Sequence, residues 1–142
     1  MRVVALSLLL FTMPAFASGG NGAPAEEESG LDDGDVRYVT LQPTFVTNYG
    51  FSETGRLKYL KADVTCRVAT RDAEMAVRYH LPALRNEIVL LFSRQDESGL
   101  TTSEGREHLR EEALSELRAV MKREEGQTYI DEVVFENFVV QR

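Results

Sequence analysis

The sequence predicts an α+β domain of two layers, an antiparallel sheet with two long helices on one of its faces. Three observations carry that expectation. Residues 57–70, LKYLKADVTCRVAT, alternate apolar and polar side chains. Residues 72–94 and again 98–126 repeat their apolar side chains at helical spacing. Residues 128–142, TYIDEVVFENFVVQR, return to the β-branched and aromatic composition of a strand. Strict alternation means one buried and one wet face, the mark of an antiparallel sheet covered on one side, and helices with a single apolar stripe supply the cover.

The 142 residues are enough for one domain and few for two. The formal charge of -7 is unevenly placed. Residues 18–35, SGGNGAPAEEESGLDDGD, hold six acids and no base, whereas residues 36–142 hold 17 acids and 15 bases. The acidity therefore belongs to a tail, and the domain lacks the basic footprint of a nucleic-acid binder. The organisation read from the chain is residues 1–17 as a signal peptide or short membrane anchor, 18–35 as an acidic flexible linker, and 36–142 as the folded domain.

At the N-terminus Arg2 precedes the apolar run Val3–Met13, followed by Pro14. Ala15-Phe16-Ala17 then fits the small-x-small pattern of signal cleavage, with Ala15 and Ala17 as the small residues. The run is shorter than the roughly 20 apolar residues of a spanning helix, so cleavage after Ala17 is the reading favoured over a retained anchor. Cleavage would also remove Arg2 and leave a charge of -8, that is -7 less one base. The tail that follows has too little apolar surface to offset chain entropy. Its DDGD (32–35) lacks the ligand alternation, glycine position and closing glutamate of a calcium loop, so no metal is expected there.

The domain opens with VRYVTLQPTFVTNY (36–49). Pro43 removes a ladder donor, which predicts an edge strand or two short strands around a bend. Turn residues over 48–56 lead to the clearest strand. Leu60, Ala62, Val64, Cys66 and Val68 share its core face, and Tyr59, Lys61, Asp63, Thr65 and Arg67 share the other. Cys66, the single cysteine, is thus expected in the core as a small apolar residue, with no internal disulfide to form.

Val77, Leu81, Leu84, Ile88 and Leu91 are spaced 4-3-4-3 and span an arc of about 80° on a helix. Pro82 interrupts them. Proline costs about 3 kcal/mol inside a helix but little in its first turn. The spacing therefore predicts a short helix over 72–79, a break near His80–Leu81, and a second helix opening at Pro82. Val89, Leu90 and Phe92 are surplus to the stripe. Either this helix end is buried on several sides, or the surplus is a contact surface.

In the segment 98–126, Thr101 and Glu104 are placed for a capping box. Leu109, Ala113, Leu117 and Val120 make the inner stripe, flanked by Leu114 and Met121, and Gly126 is placed to end the helix. Glu107, Arg110, Glu111, Glu112, Glu116 and Arg118 form a charged outer face. In the last strand the apolar phase changes between Val133/Phe135 and Phe138/Val140, which predicts a bulge near Glu136–Asn137.

No catalytic pattern emerges. His80 and His108 stand 28 residues apart without a motif, Cys66 has no histidine near it in sequence, and Ser93 lacks a nucleophile-elbow setting. There is no phosphate loop or dinucleotide fingerprint. The expectation is a non-enzymatic protein with no catalytic, cofactor or metal residues.

Four stretches, RLKYLKADVTCRV, HLPALRNEIVLLFSRQ, SGLTTSEGREHLREEAL and VVFENFVVQ, stand in the order and rough spacing of the flagellar basal-body-associated protein family FliL. The chain resembles that family over about residues 37–141. The resemblance rests on Pro82 with Arg85, on Ser-Glu-Gly-Arg-Glu at 103–107, and on the Phe-x-x-Phe-Val-x-Gln ending at 135–141. It implies a domain similar to the stomatin/prohibitin type on the periplasmic side of the inner membrane, at the flagellar basal body. It implies a scaffold beside the motor stator that supports flagellar rotation, swarming motility and chemotaxis. Its partners would be copies of itself in a ring or arc, and stator or basal-body proteins. Typical family members carry a full spanning helix, whereas this chain starts with a short run that fits a cleavable signal, so a cleaved signal and a short retained anchor are both open to it. For the contact surface, Val89, Leu90 and Phe92 are the candidates for packing and Arg78 and Arg85 for neighbouring polar contacts. A periplasmic binding module for a small molecule or lipid is the alternative reading.

Overall fold

The computed structural model describes residues 35–50 and 55–142. The signal or anchor at 1–17, the linker up to residue 34 and the middle of the 48–56 turn lie outside the described residues.

The edge strand divides as Pro43 demands. β1 (Arg37–Thr40) and β2 (Phe45–Asn48) flank it, and Gln42–Pro43 is a cis peptide. Both pair antiparallel with β3 (Tyr59–Val68), β1 with Thr65–Val68 and β2 with Tyr59–Ala62. β4 (Ile130–Gln141) pairs antiparallel along the other side of β3. The sheet is thus β1/β2, β3, β4, with β3 at its centre.

The alternation of β3 is realised in full. Leu60, Ala62, Val64, Cys66 and Val68 are all completely buried. On the other face Lys61 is exposed, and Thr65 is covered while its hydroxyl lies 3.0 Å from that of Thr40. The ladder with β4 slips where the apolar phase changes. Lys61 faces Val139, Asp63 faces Glu136, and Asn137 takes a left-handed φ of 48°. This is the expected bulge, and asparagine tolerates that conformation better than most residues.

α1 (Arg71–Tyr79) and α2 (Leu81–Ser93) meet at His80, with Pro82 in the first turn of α2. Thr70 caps α1, its hydroxyl accepting from the Ala73 amide at 3.1 Å. Val77, Leu84, Ile88 and Leu91 are buried on the sheet, and Leu81 is half-buried at the break. Each fully buried aliphatic side chain contributes about 1.5–3 kcal/mol of transfer free energy.

The segment 98–126 differs from expectation at its start. It holds two helices, α3 (Glu97–Thr101) and α4 (Ser103–Glu125). Asp96 caps α3 through the Gly99 amide at 2.7 Å. Thr102 turns extended (φ -87°, ψ 152°) and caps α4 through the Gly105 amide at 3.0 Å. Thr101, the expected cap, instead closes α3 with its hydroxyl on the Glu97 carbonyl. The cap sits one residue later because the chain corners there, with Gly105 packed against the backbone of Ser98 and Gly99. Leu109, Ala113, Leu117, Val120 and Met121 are buried, and Gly126 (φ 73°) ends α4 with its amide on Lys122.

Candidate protein–protein interface

Of the five residues singled out for contact, three are exposed, Arg85 is half-buried and Phe92 is buried. Val89 and Leu90 are 39% and 48% exposed on α2, on the side turned away from the buried stripe. Arg78 is exposed on α1, where its guanidinium donates twice to Glu74 Oε1 at 3.1 and 2.8 Å. Glu74 also receives Arg37 at 3.1 Å, and these cations, Arg78 foremost, hold its carboxyl below the usual range.

Phe92 corrects the sequence reading. It is completely buried, edge-on to Phe45 at 5.9 Å, Phe135 at 5.7 Å and Phe138 at 6.5 Å. It follows Ile88 by four residues, so it lies only about 40° around the helix from a core position. Its side chain is core, and its partners come from β2 and from the β4 ending.

Arg85 is also turned inward. It donates to the carbonyls of Leu41 and Pro43, and its guanidinium carbon lies 4.1 Å from the centre of the Phe45 ring. Burial pulls its pKa down, as desolvation of a cation must. Arg85 thus holds the β1–β2 bend to α2, and the Pro82–Arg85 spacing has a local purpose: proline opens the helix and arginine, three residues on, staples it to the strand break.

The histidines are apart in role as in sequence. His80 Nε2 lies 2.6 Å from Glu125 Oε1, joining the α1–α2 junction to the end of α4, while His108 is exposed at the start of α4. The Ser93 hydroxyl is spent on the Leu90 carbonyl at 2.9 Å. Burial pushes the Cys66 thiol up to about 12, so it is no nucleophile at neutral pH. Among the described residues no group of three or more His, Cys, Asp or Glu could hold a metal ion.

Two arginines around α4, Arg118 on its charged face and Arg94 at the end of α2, make ties that the spacing did not predict. Arg118 Nε donates to the Ile130 carbonyl at 2.7 Å, tying α4 to the start of β4. Arg94 bridges Glu112 and Glu116 at 3.0 and 2.9 Å, tying the end of α2 to α4. Charge alternation on a helix gives no sign of which arginine bends toward a strand.

The geometry is that of a sealed core with scattered exposed apolar side chains. A family model, flagellar basal body-associated protein FliL, matches residues 38–141, nearly the whole described domain. The chain belongs to the FliL family. It is 27% identical to the flagellar protein FliL of Escherichia coli (strain K12) over 139 residues, which covers 94% of this chain and 88% of that one. The Shigella flexneri protein of the same name matches to the same extent. FliL of Aquifex aeolicus is 29% identical over 101 residues, 71% of this chain and 59% of its own. This FliL-family chain is therefore a flagellar protein associated with the basal body. The three motifs that resemble the family all fall within the matched region, and each has a structural duty: Arg85 at the strand break, Gly105 at the α3–α4 corner, and Phe135 with Phe138 in the aromatic cluster around Phe92. Among the described residues no helix is long and apolar enough to cross a membrane.

Proposed function

We propose that this chain is a non-enzymatic scaffold that assembles near the flagellar motor stator and supports rotation, swarming motility and chemotaxis. The observation that carries the reading is the pair Val89–Leu90, exposed on the outer side of α2 in a fold that otherwise buries its large aliphatic residues there. Exposed adjacent apolar residues on a rigid helix favour association. Copies of the chain would meet through this side of α2, with Arg78 across the helix junction as a polar contact at its edge. A ring or arc requires head-to-tail contact, so Val89 and Leu90 of one copy would meet a different surface on the next. The stator's periplasmic part would take another surface. The domain would lie in the periplasm at the basal body, held at the inner membrane if residues 3–17 are retained and free of it if cleavage follows Ala17.

Leu90→Glu tests the reading. The side chain is half exposed, so the variant folds, which circular dichroism checks. It is expected to lose assembly in crosslinking and to shrink the swarm of a complemented deletion strain. A folded Leu90→Glu protein that assembles and swarms like the parent would refute it.

A further inference from the structure

The helices cover one face of the sheet, and the reverse face is open to water. Directly opposed residues of antiparallel strands share a face, so the register sets that surface out in rows. In one row Lys61 of β3 stands between Val46 of β2 and Val139 of β4. Both valines are exposed, at 67% and 52%. The next row toward the end of the sheet, Asn48, Tyr59 and Gln141, carries no charge. The acids of this face all lie on the other side of the Lys61 row. Asp63 accepts from the Asn137 side-chain amide at 2.7 Å, Glu136 stands opposite Asp63, and Glu132 is drawn to Arg67 at 3.5 Å. Lys61 itself has no salt-bridge partner among the described residues.

The outer side of α2 carries the opposite chemistry. Arg85 and Glu87 are the two charged residues of that helix, and Arg85 is turned inward to the carbonyls of Leu41 and Pro43. Glu87 is therefore the charge that α2 shows to water. It too has no salt-bridge partner among the described residues. It precedes Leu90 by three residues, which makes the two neighbours on the helix surface. α2 thus presents two aliphatic side chains and a carboxylate, and the sheet presents two aliphatic side chains and an ammonium.

The two patches lie back to back. Phe92, two residues after Leu90, packs on Phe45 at 5.9 Å and on Phe138 at 6.5 Å. Phe45 and Phe138 turn toward the core, so their chain neighbours Val46 and Val139 point out of the reverse face. One patch looks outward from the helical layer, the other from the sheet. Two different surfaces facing opposite ways make a head-to-tail contact, which adds copies in succession, whereas a surface that meets itself closes after two. Charge favours the same choice. α2 on α2 gathers two carboxylates and sheet on sheet two ammonium groups, while α2 on the sheet pairs opposite signs.

We propose that the Val46–Lys61–Val139 row is the surface on which a second copy seats Val89 and Leu90 of its α2, with its Glu87 paired to Lys61. The inference rests on the reading of α2 as the assembly surface and names the surface that α2 meets.

Sedimentation of the full chain over a range of concentrations gives the midpoint of assembly, and circular dichroism checks that each variant folds. Lys61→Glu and Glu87→Lys should each raise that midpoint about tenfold, because each sets like charges against one another at the contact. An equimolar mixture of the two variants should assemble near the parent's midpoint, since alternating copies meet opposite charge at every contact. The double variant should do the same. Leu90→Glu separates this inference from the reading beneath it. If Leu90→Glu loses assembly while Lys61→Glu keeps the parent's midpoint, the sheet surface is overturned and the α2 surface stands. If both charge variants lose assembly and neither the mixture nor the double variant restores it, the pairing of Lys61 with Glu87 is overturned. If Leu90→Glu assembles like the parent, the α2 surface and this inference fall together.

Discussion

Gly105→Ala adds one methyl group at the third residue of α4, and the sign of its effect tests how α3 and α4 meet. In an ordinary helix the change is favourable by about 0.5–1 kcal/mol, because alanine loses less backbone entropy than glycine. Here the new Cβ would stand 2.6 Å from the Ser98 carbonyl oxygen and 2.8 Å from both Cα and O of Gly99. Ordinary contact begins at 3.4 Å, so the deficits are 3.4 − 2.6 = 0.8 Å and 3.4 − 2.8 = 0.6 Å. All three atoms are backbone, and no rotamer change relieves them. α3 would have to move away. It is pinned by Leu100, which is completely buried, and by Glu97, which receives Lys58 at 3.0 Å. Overpacking of this kind costs about 1–3 kcal/mol, which outweighs the helical gain and leaves about 1–2 kcal/mol of net destabilisation.

For a domain near 100 residues that loss lowers the melting midpoint by about 4–15 °C. Thermal unfolding followed by circular dichroism reads it directly. Gly99→Ala is the control. The nearest atom to its Cβ is Gln95 Oε1 at 3.0 Å, a side-chain end that can yield, and Asp96 Oδ1 at 3.3 Å already stands close to ordinary contact. That variant should stay within about 0.5 kcal/mol of the parent. A Gly105→Ala protein as stable as the parent, or more so, would refute the reading of this corner as a backbone-to-backbone contact.

Arg85→Met keeps the aliphatic stem but strips two carbonyls of their donor, so denaturant unfolding should show a loss of about 2–4 kcal/mol, and Arg85→Lys should recover less than half because one ammonium cannot reproduce the planar fork over Phe45. Glu74 has its carboxyl depressed in the folded state by Arg78 and Arg37, so its contribution is fully present above its ordinary value of 4.5 and is lost as pH falls through the depressed one. Glu74→Gln should therefore lower the melting midpoint at neutral pH and flatten the decline below about pH 4.5, and an unaltered acid limb would show that the Arg37–Glu74–Arg78 cluster does not contribute.

The sequence made legible whatever rests on periodicity and on single residues with strong backbone preferences. β3 alternates without exception, and every core-facing position is buried. Pro82 marks the α1–α2 break, Pro43 the β1–β2 break, and the phase change of β4 locates the bulge at Asn137. What the sequence left hidden depends on chain direction in three dimensions. Thr101 and Thr102 are chemically equal as caps, and only the corner imposed by Gly105 on Ser98 and Gly99 selects the second. Phe92 looked like surplus because the stripe was drawn without the aromatic residues of β2 and β4 that close over it. The contact candidates divided for the same reason. Arg85 and Phe92 meet strands far along the chain, while Val89 and Leu90 meet none.

Arginine usage then explains how the sheet edges are closed. Strand breaks and strand ends leave backbone carbonyls without ladder partners, and each is an invitation to unwanted pairing. Arg85 takes those of Leu41 and Pro43 on one edge of the sheet, and Arg118 takes those of Ile130 and Asp131 on the other. Both come from helices, so the same contacts that close the edges also lock the helical layer to the sheet. On α2 the apolar side chains left open are Val89 and Leu90. The two duties should therefore separate: Leu90→Glu should impair assembly and leave thermal stability close to the parent's, whereas Arg85→Met should lower stability.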